Sequence, residues 1–510
     1  MITEPFSSVG VVPIFVNAGA SIAPLIIGSL TTFFAILLKP KELLSLFRRK
    51  PWVPVAILGG GVGIWILGMH LFSTSAAAAS SKRGPEVSAG VHTDWNAFAL
   101  TLIKRAEDAA KKTGIKFAWD YLPDGKDGAA MVLSSPAFAQ TTNRVFCTAA
   151  VQDVATFFGM IYCVDAATGK QIWKMEKADG DDLKPFFSSP ALTADEKWIV
   201  VGQGLHADAD CYLLCFNAET GVLRWKVKTA LHIESSPAIR GDLAVVGAGA
   251  IEGADHKPTT HAGYVFAVQI STGKELWRHD VNDPESSPAI ADDGTVYIGS
   301  GFNGNAVVAM RSESEEELKA KGLKREVWKI PAPYPITGPI TIDGDLIIVG
   351  GGNGDFVYED PNPAGVVLAI NRKDGSIKWQ AKTDAAVLGK IVVSNGKVFC
   401  PVRNGQVVAL NLSDGKPIWN KAVSGKSPVL AGVALSKDGQ TVFAVAKDGT
   451  LALLSAADGA FADKTYSLNA AGKPGKSGLS LSTPAVIGDK ILVGSETGGL
   501  HCFETIGGGK

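Results

Sequence analysis

No excess of charge of either sign marks this chain: 49 Lys and Arg stand against 50 Asp and Glu over 510 residues, a formal net charge of -1. A basic surface that tracks a nucleic-acid backbone is therefore not expected. Cysteine is sparse, six in all, with no two adjacent. His, Asp and Glu cluster in some loops but at no standard metal-ligand spacing. The glycine run Gly59-Gly60-Gly61-Val62-Gly63 lacks the strand-turn-helix setting of a phosphate loop. What is present is 46% apolar residues and 57 glycines, enough for a large core and too apolar for wholesale disorder.

The apolarity is concentrated at the N-terminus. Gly10 to Leu38 is 29 residues without a charge and Trp52 to Phe72 another 21. Each is long enough to cross a ~30 Å hydrocarbon core as a helix. Two transmembrane helices are expected, at about 10–38 and 52–72, giving a membrane anchor over residues 1–72. Lys39, Lys41, Arg48, Arg49 and Lys50 lie between them against the single acid Glu42. The positive-inside rule makes that loop cytoplasmic and puts everything after residue 73 on the outer side. In a bacterial cell this means the inner membrane with the rest of the chain facing the periplasm. The alternative is a signal peptide, with Ser73 to Ser80 as the small-residue cleavage region. Residues 73–113 read as an Ala/Ser/Gly/Pro linker followed by an amphipathic helix, because Trp95, Phe98, Leu102, Ala106 and Ala109 recur at helical spacing.

From residue 114 onward a repeat of about fifty residues dominates. Ser134-Ser135-Pro136-Ala137 returns at Ser188, Ser235 and Ser286, then more loosely as Thr337-Gly338-Pro339-Ile340 and Ser482-Thr483-Pro484-Ala485. The first five prolines are 54, 47, 51 and 51 residues apart. A second signature follows: Asp165-x-x-Thr168-Gly169 with Trp173, then its counterparts ending in Trp225, Trp277, Trp379 and Trp419, each Trp four residues after the Gly. Short apolar runs alternate with turn residues and leave no room for a crossover helix, so each unit is a four-stranded antiparallel sheet.

Four short strands per fifty residues is the arithmetic of a β-propeller blade. Innermost strands begin near residues 134, 188, 235, 286, 337, 387, 429 and 482, predicting an all-β, eight-bladed propeller over 114–510. Proline without its N–H suits an innermost edge strand, and Asp or Asn with Gly suits the turn between the outer strands. Trp119, Trp173, Trp225, Trp277, Trp328, Trp379 and Trp419 are expected to dock blade on blade, each worth on the order of 4 to 6 kcal/mol gross. Blade four carries a charged insertion, Ser312 to Lys324, and blade seven has Asp458-Gly459 without a Trp. The last unit lacks a fourth strand, which Ile115 to Tyr121 is expected to supply, closing the ring.

These motifs resemble the PQQ-like propeller repeat family over about residues 114–505. That family includes periplasmic quinoprotein alcohol dehydrogenases and the non-catalytic BamB-type subunit of the outer-membrane barrel assembly machinery. The dehydrogenase branch holds its quinone and a Ca²⁺ near the axis with a vicinal cysteine ring and Glu, Asn and Asp ligands. Nothing here matches those positions, so no PQQ and no Ca²⁺ are expected. The resemblance implies a non-catalytic scaffold for protein partners, in envelope assembly or as an accessory subunit of a membrane complex. A PQQ-dependent dehydrogenase is the alternative, and a small-molecule or cation sensor a further one. Loops at 204–210, 250–263 and 350–365 carry His206, Asp208, Asp210, Asp255, His256, His261, Asp355, Glu359 and Asp360 as candidate cation ligands. Glu234 and Glu285, each just before a Ser-Ser-Pro, are expected to give the channel mouth an acidic lip. Cys163, Cys215 and Cys502 fall where other blades carry small core residues such as Ala409, and a Cys147–Cys163 bridge stays open.

Overall fold

The computed structural model describes residues 114–505 except 124–129, 154–155, 206–207, 250–262, 303, 426, 463–464, 469–480 and 497–498. It also describes the backbone of one hairpin, Val55–Gly59 paired with Val62–Ile66, inside the second apolar stretch. The remainder of both expected membrane spans and the helix expected after Trp95 lie outside the described residues. Among the described residues no helix is long and apolar enough to cross a membrane.

Eight antiparallel sheets follow one another around a ring. Blade three shows the plan: Ala238–Arg240, Leu243–Ala248, Tyr264–Gln269 and Glu275–Asp280, hydrogen-bonded in chain order from the axis outward. The two middle strands are buried on both faces, as continuous apolar runs require, and the outermost alternates. Blade one adds a fifth short strand, Ala130–Met131, beside Arg144–Asp153. Blade eight is assembled from both ends of the repeat: Ile115–Tyr121 pairs antiparallel with Gly499–Thr505. That is the closure the truncated last repeat implied, and it removes an open edge.

Blades are locked to their neighbours through the repeat tryptophans. Each indole Nε1–H donates to a backbone carbonyl of the next blade: Trp119 to Ala166 and Trp173 to Ala218 at 3.1 Å, Trp225 to Ile270 at 2.7 Å, Trp277 to Ser312 at 3.0 Å. Trp328 reaches Arg372 at 3.1 Å, Trp379 reaches Leu412 at 2.8 Å and Trp419 reaches Ala456 at 3.4 Å. For Trp119, Trp173, Trp328 and Trp379 the accepting carbonyl belongs to a turn built by an Asx residue; Asp165 Oδ1, for instance, accepts from the backbone of Ala167 and Thr168. The turn glycine then lies flat on the same indole. A Cβ on Gly169 would stand 2.5 Å from the Trp119 ring, on Gly221 2.7 Å from Trp173 and on Gly415 2.6 Å from Trp379. The glycine is thus fixed twice, by its positive φ and by the ring beneath it.

Within a blade, the strand register slips by one residue beside each of these tryptophans, for example between Cys215 and Phe216 opposite Trp225. Such a bulge re-aims a side chain, here toward the next blade. The residue directly across from the indole is always small: Cys163, Cys215 and Cys502 face Trp173, Trp225 and Trp119, and alanines face the other four. All six cysteines are buried free thiols. Cys147 lies opposite Tyr162 and Cys163 opposite Phe146, so adjacent pleat positions send the two thiols to opposite faces and no bridge joins them.

Two departures from the repeat fall at this docking. In blade four the insertion forms a helix, Glu315–Lys321, with a Ser314/Glu317 capping box. No glycine covers Trp277 there; the buried Arg325 stacks its guanidinium 4.4 Å from the ring centroid instead. Blade seven carries no tryptophan, and the blade it docks against has outer strands, Gly499–Thr505 and Ile115–Tyr121, that are not consecutive in the chain.

If the indole contact carries weight, Gly221→Ala and Gly396→Ala will differ. Both glycines have φ near +73°, at +74° and +72°, so each alanine carries the left-handed cost of about 1–2 kcal/mol. Only Gly221 faces an indole, since nothing lies within 4 Å of a Cβ on Gly396. Thermal unfolding is expected to show roughly 1–3 kcal/mol of further destabilisation for Gly221→Ala, the cost of overpacking; equal losses would remove the contact from the account.

His501, 3% exposed in blade eight, is held by burial at a pKa of about 4 against an ordinary 6.5, with Asp120 across the strand pulling the other way. The unfolded imidazole takes its proton near 6.5 and the folded one only near 4. Its contribution is therefore complete above pH 6.5 and is lost as the pH falls toward 4. Denaturant titrations across that window are expected to give a shallower pH slope for His501→Gln than for the parent chain; parallel slopes would exclude this imidazole.

Candidate functional site

Each of the eight blades approaches the axis with a residue that leads directly into the innermost-strand anchor, and in blade five only the proline stands one residue early. The equivalence is visible in the glycines of the second strands: Gly202 faces Ile233, Gly247 faces Pro284, Gly299 faces Ile336 and Gly350 faces Val387. One residue later, Glu234, Glu285, Thr337 and Leu388 therefore occupy matching positions, joined by Leu430, Leu481, Leu133 and Phe187. Thr337 thus matches the two glutamates and not the first serine of the anchor. The correction is one residue: Gly338 takes the place of Ser286, whose hydroxyl donates to the Gly338 carbonyl at 2.8 Å just as Ser235 donates to Ser286.

Below this ring a belt of hydroxyls ties the blades together. The backbone N–H of Thr483 donates to Ser135 Oγ at 3.1 Å, Ser135 to Ser189 at 2.8 Å, Ser189 to Ser236 at 2.9 Å and Ser236 to Ser287 at 3.0 Å. The second serine of the anchor thereby satisfies an edge-strand donor that has no sheet partner. At blade five Pro339 stands where the next hydroxyl would be, and the belt ends there.

The two rings enclose an axial cavity of about 90 Å³. Its wall is apolar on one side, with Leu388, Leu430, Leu481, Leu133 and Phe187, and polar on the other, with Glu234, Glu285 and Thr337; Lys390 adds one ammonium. Both glutamates sit inside rather than on a lip: Glu234 is 6% exposed and the Glu285 side chain 12%. The fully buried His232 backs Glu285, Nε2 to Oε1 at 3.3 Å.

Over the mouth lies the loop of blade five. Phe356 at its centre meets Phe187 of blade two, ring centroids 5.2 Å apart. Arg403 of blade six, 5% exposed, pins the loop by donating to the carbonyls of Asp355 at 2.9 Å and Val357 at 3.2 Å, with Glu359 at 3.8 Å. Asp355 Oδ1 accepts from Val357 and Tyr358, and Asp360 Oδ1 accepts from Asn362 at 2.8 Å. These carboxylates build the loop's own turns. Asp208 does the same with the Leu205 N–H at 2.8 Å, and Asp210 pairs with Lys228 at 3.0 Å, a bond that lowers its pKa. His206, Asp255, His256 and His261 lie outside the described residues. Among the described residues no three metal-binding groups converge.

A tricyclic quinone does not suit this cavity. Cofactor pockets run to ~300–1,000 Å³, against about 90 Å³ here, and the polar wall presents carboxylates to a ligand that is itself a polycarboxylate. Sequence reasoning located Glu234 and Glu285 but missed their depth, and it missed Thr337, Phe356 and Arg403. The position preceding each anchor was the available signal for the first of these.

The chain has relatives on both sides of this distinction. The family model described as outer membrane protein assembly factor BamB matches residues 157–260 and 363–510. The chain is 23% identical over 354 residues to BamB of Yersinia pestis, covering 68% of this chain and 80% of that protein. It is 25% identical over 295 residues to the dehydrogenase subunit of the quinone alcohol dehydrogenase of Gluconobacter oxydans, covering 52% of this chain and 33% of that protein. The crystal structure of BamB from Moraxella catarrhalis aligns with a TM-score of 0.53 at 15% identity, covering 76% of this chain and 99% of that one. At that identity the likeness is one of fold.

Removing the clamp tests the loop. Arg403→Ala is expected to speed limited proteolysis between residues 353 and 364 by about ten-fold, the effect of losing roughly 1.5 kcal/mol of hydrogen bonding. An unchanged cleavage rate would show that the loop is held by other contacts.

Proposed function

The chain belongs to the PQQ-like β-propeller repeat family, and on that premise we propose that it is a non-catalytic, BamB-like scaffold that binds protein partners in the cell envelope. The observation that carries this reading is coverage: the chain spans 80% of a BamB relative and only 33% of a quinone dehydrogenase subunit. The narrow axis supports it, because a tricyclic quinone needs more room than the about 90 Å³ of the axial cavity. A surface for a partner is at hand on the loop over the mouth, where Val357 is 60% and Tyr358 49% exposed while Arg403 fixes the backbone beneath them. Rigid, exposed aromatic and aliphatic side chains are the residues that anchor interfaces at low entropic cost.

The apolar stretches at 10–38 and 52–72 would tether the propeller to the inner membrane, facing the periplasm, with the basic loop between them in the cytoplasm. Its place would then be as an accessory subunit of an envelope complex, held at the membrane by its own anchor.

A photo-cross-linking residue at position 358, introduced into the full chain in native membranes, tests the scaffold. One discrete adduct is expected, reduced when Val357 is replaced by Asp. Recovery of the uncross-linked chain alone would argue against it, and dye reduction on addition of PQQ, Ca²⁺ and an alcohol would favour the dehydrogenase instead.

A further inference from the structure

The belt of hydroxyls leaves donors open where it stops. In blades one to three the N–H of each second serine reaches the hydroxyl of the next blade, ending with Ser236 to Ser287 at 3.0 Å. Ser287 of blade four has no hydroxyl to reach, because the matching position in blade five is Pro339. Among the described residues its backbone N–H has no acceptor, and its own hydroxyl accepts from Ser236 without donating. Thr337, two residues before Pro339, is 8% exposed and lines the cavity, and its Oγ1 has no hydrogen-bond partner among the described residues. Blades four and five are held together here: Ser286 donates to the Gly338 carbonyl at 2.8 Å, and the Ile340 N–H donates to the Ser287 carbonyl at 3.1 Å. Two hydroxyls and one amide therefore sit at one junction of the cavity wall without an acceptor. Leucine fills the Thr337 position in blades six, seven, eight and one, so packing does not call for a hydroxyl there. A buried donor kept unpaired is better explained by a ligand.

We propose that the axial cavity binds a small uncharged carbonyl compound, a ketone or tertiary amide, its oxygen at the Ser287–Thr337 junction and its alkyl part against Leu388 and Leu430. A carbonyl oxygen has two lone pairs and no proton. It can accept from Thr337 and Ser287 together, and it adds no donor that would need a partner of its own. Leu388 and Leu430 belong to blades six and seven, next round the ring from Thr337, so the open donors and the apolar wall are neighbours. A charged head in the same place would lose its solvation on the leucine side. At about 90 Å³ the cavity exceeds several-fold the ~10–15 Å³ that one water needs, which leaves room for a ligand of about six non-hydrogen atoms. Phe356 lines the cavity and meets Phe187 at its mouth, an arrangement that suits a free molecule better than a segment of a docked protein. The site does not rest on the scaffold reading: carbonyl binding and partner capture are read out separately, so either can fail without the other.

The test is a ligand-observed NMR titration of the full detergent-solubilised chain with N,N-dimethylacetamide, and with N,N-dimethylthioacetamide, whose sulfur keeps the shape but accepts hydrogen bonds poorly. The amide is expected to bind and the thioamide to bind about ten-fold more weakly, the loss of two hydrogen bonds of ordinary net strength. Thr337→Val removes the hydroxyl at nearly constant shape and should weaken the amide roughly five-fold, while Thr337→Ser keeps the hydroxyl and should bind it as the parent chain does. The thioamide comparison needs only the parent chain, so the proposal stays open to refutation even where a variant fails to fold. Absence of amide binding, equal affinity for the thioamide, unchanged binding in Thr337→Val, or tighter binding of acetate than of the amide would overturn it.

Discussion

The fit of an indole from one blade onto the glycine turn of the next is the constraint on which this propeller depends. Sheets in such a ring touch only their two neighbours, so stability is set junction by junction. The described contacts concentrate four requirements on one spot. An Asx side chain shapes the turn, a glycine takes the positive φ, a carbonyl accepts the indole N–H, and the opposite strand presents Ala or Cys to make space. At most junctions the four recur together at fixed spacing. The exception in blade four makes the point: with the glycine gone, a guanidinium covers the same ring face.

Much of this was legible beforehand because it is periodic. Blade number, the outermost position of the tryptophans and the use of Ile115–Tyr121 to complete the last sheet all follow from counting strands and noticing which was missing. The equivalence of Cys163, Cys215 and Cys502 with alanines elsewhere was also readable, though not its cause, which lies across the strand in the indole. Aligning Thr337-Gly338-Pro339 by its proline failed by one residue, since proline suits either of two adjacent edge positions and only the cross-blade bonds fix the register. Phe356 and Arg403 could not have been found by periodicity, because they belong to a loop that occurs once and is defined by what it spans.

Around the axis, eight near-identical units produce a wall that is not symmetric. Backbone and hydroxyl belt repeat from blade to blade, while the single position above the belt is free to vary, since it supports no junction. Chemistry specific to this chain is therefore concentrated where the repeat exerts least control. The outer rim, by contrast, keeps its motif at most junctions, and the insertion in blade four rebuilds the docking it displaced.

The two-ended eighth blade has a consequence for how the protein is made. Ile115–Tyr121 is synthesised before any other blade strand, yet its partner Gly499–Thr505 follows only after the rest of the ring. At ~5–20 residues per second the ribosome takes roughly 20 to 80 seconds to cover that interval. During that time the first strand waits with its hydrogen-bonding edge unpaired, and Phe117, which remains 44% exposed even in the finished ring, has nothing to lie against. A chaperone or a membrane-proximal holding step acting on that short segment would guard the whole assembly against pairing with a second nascent chain.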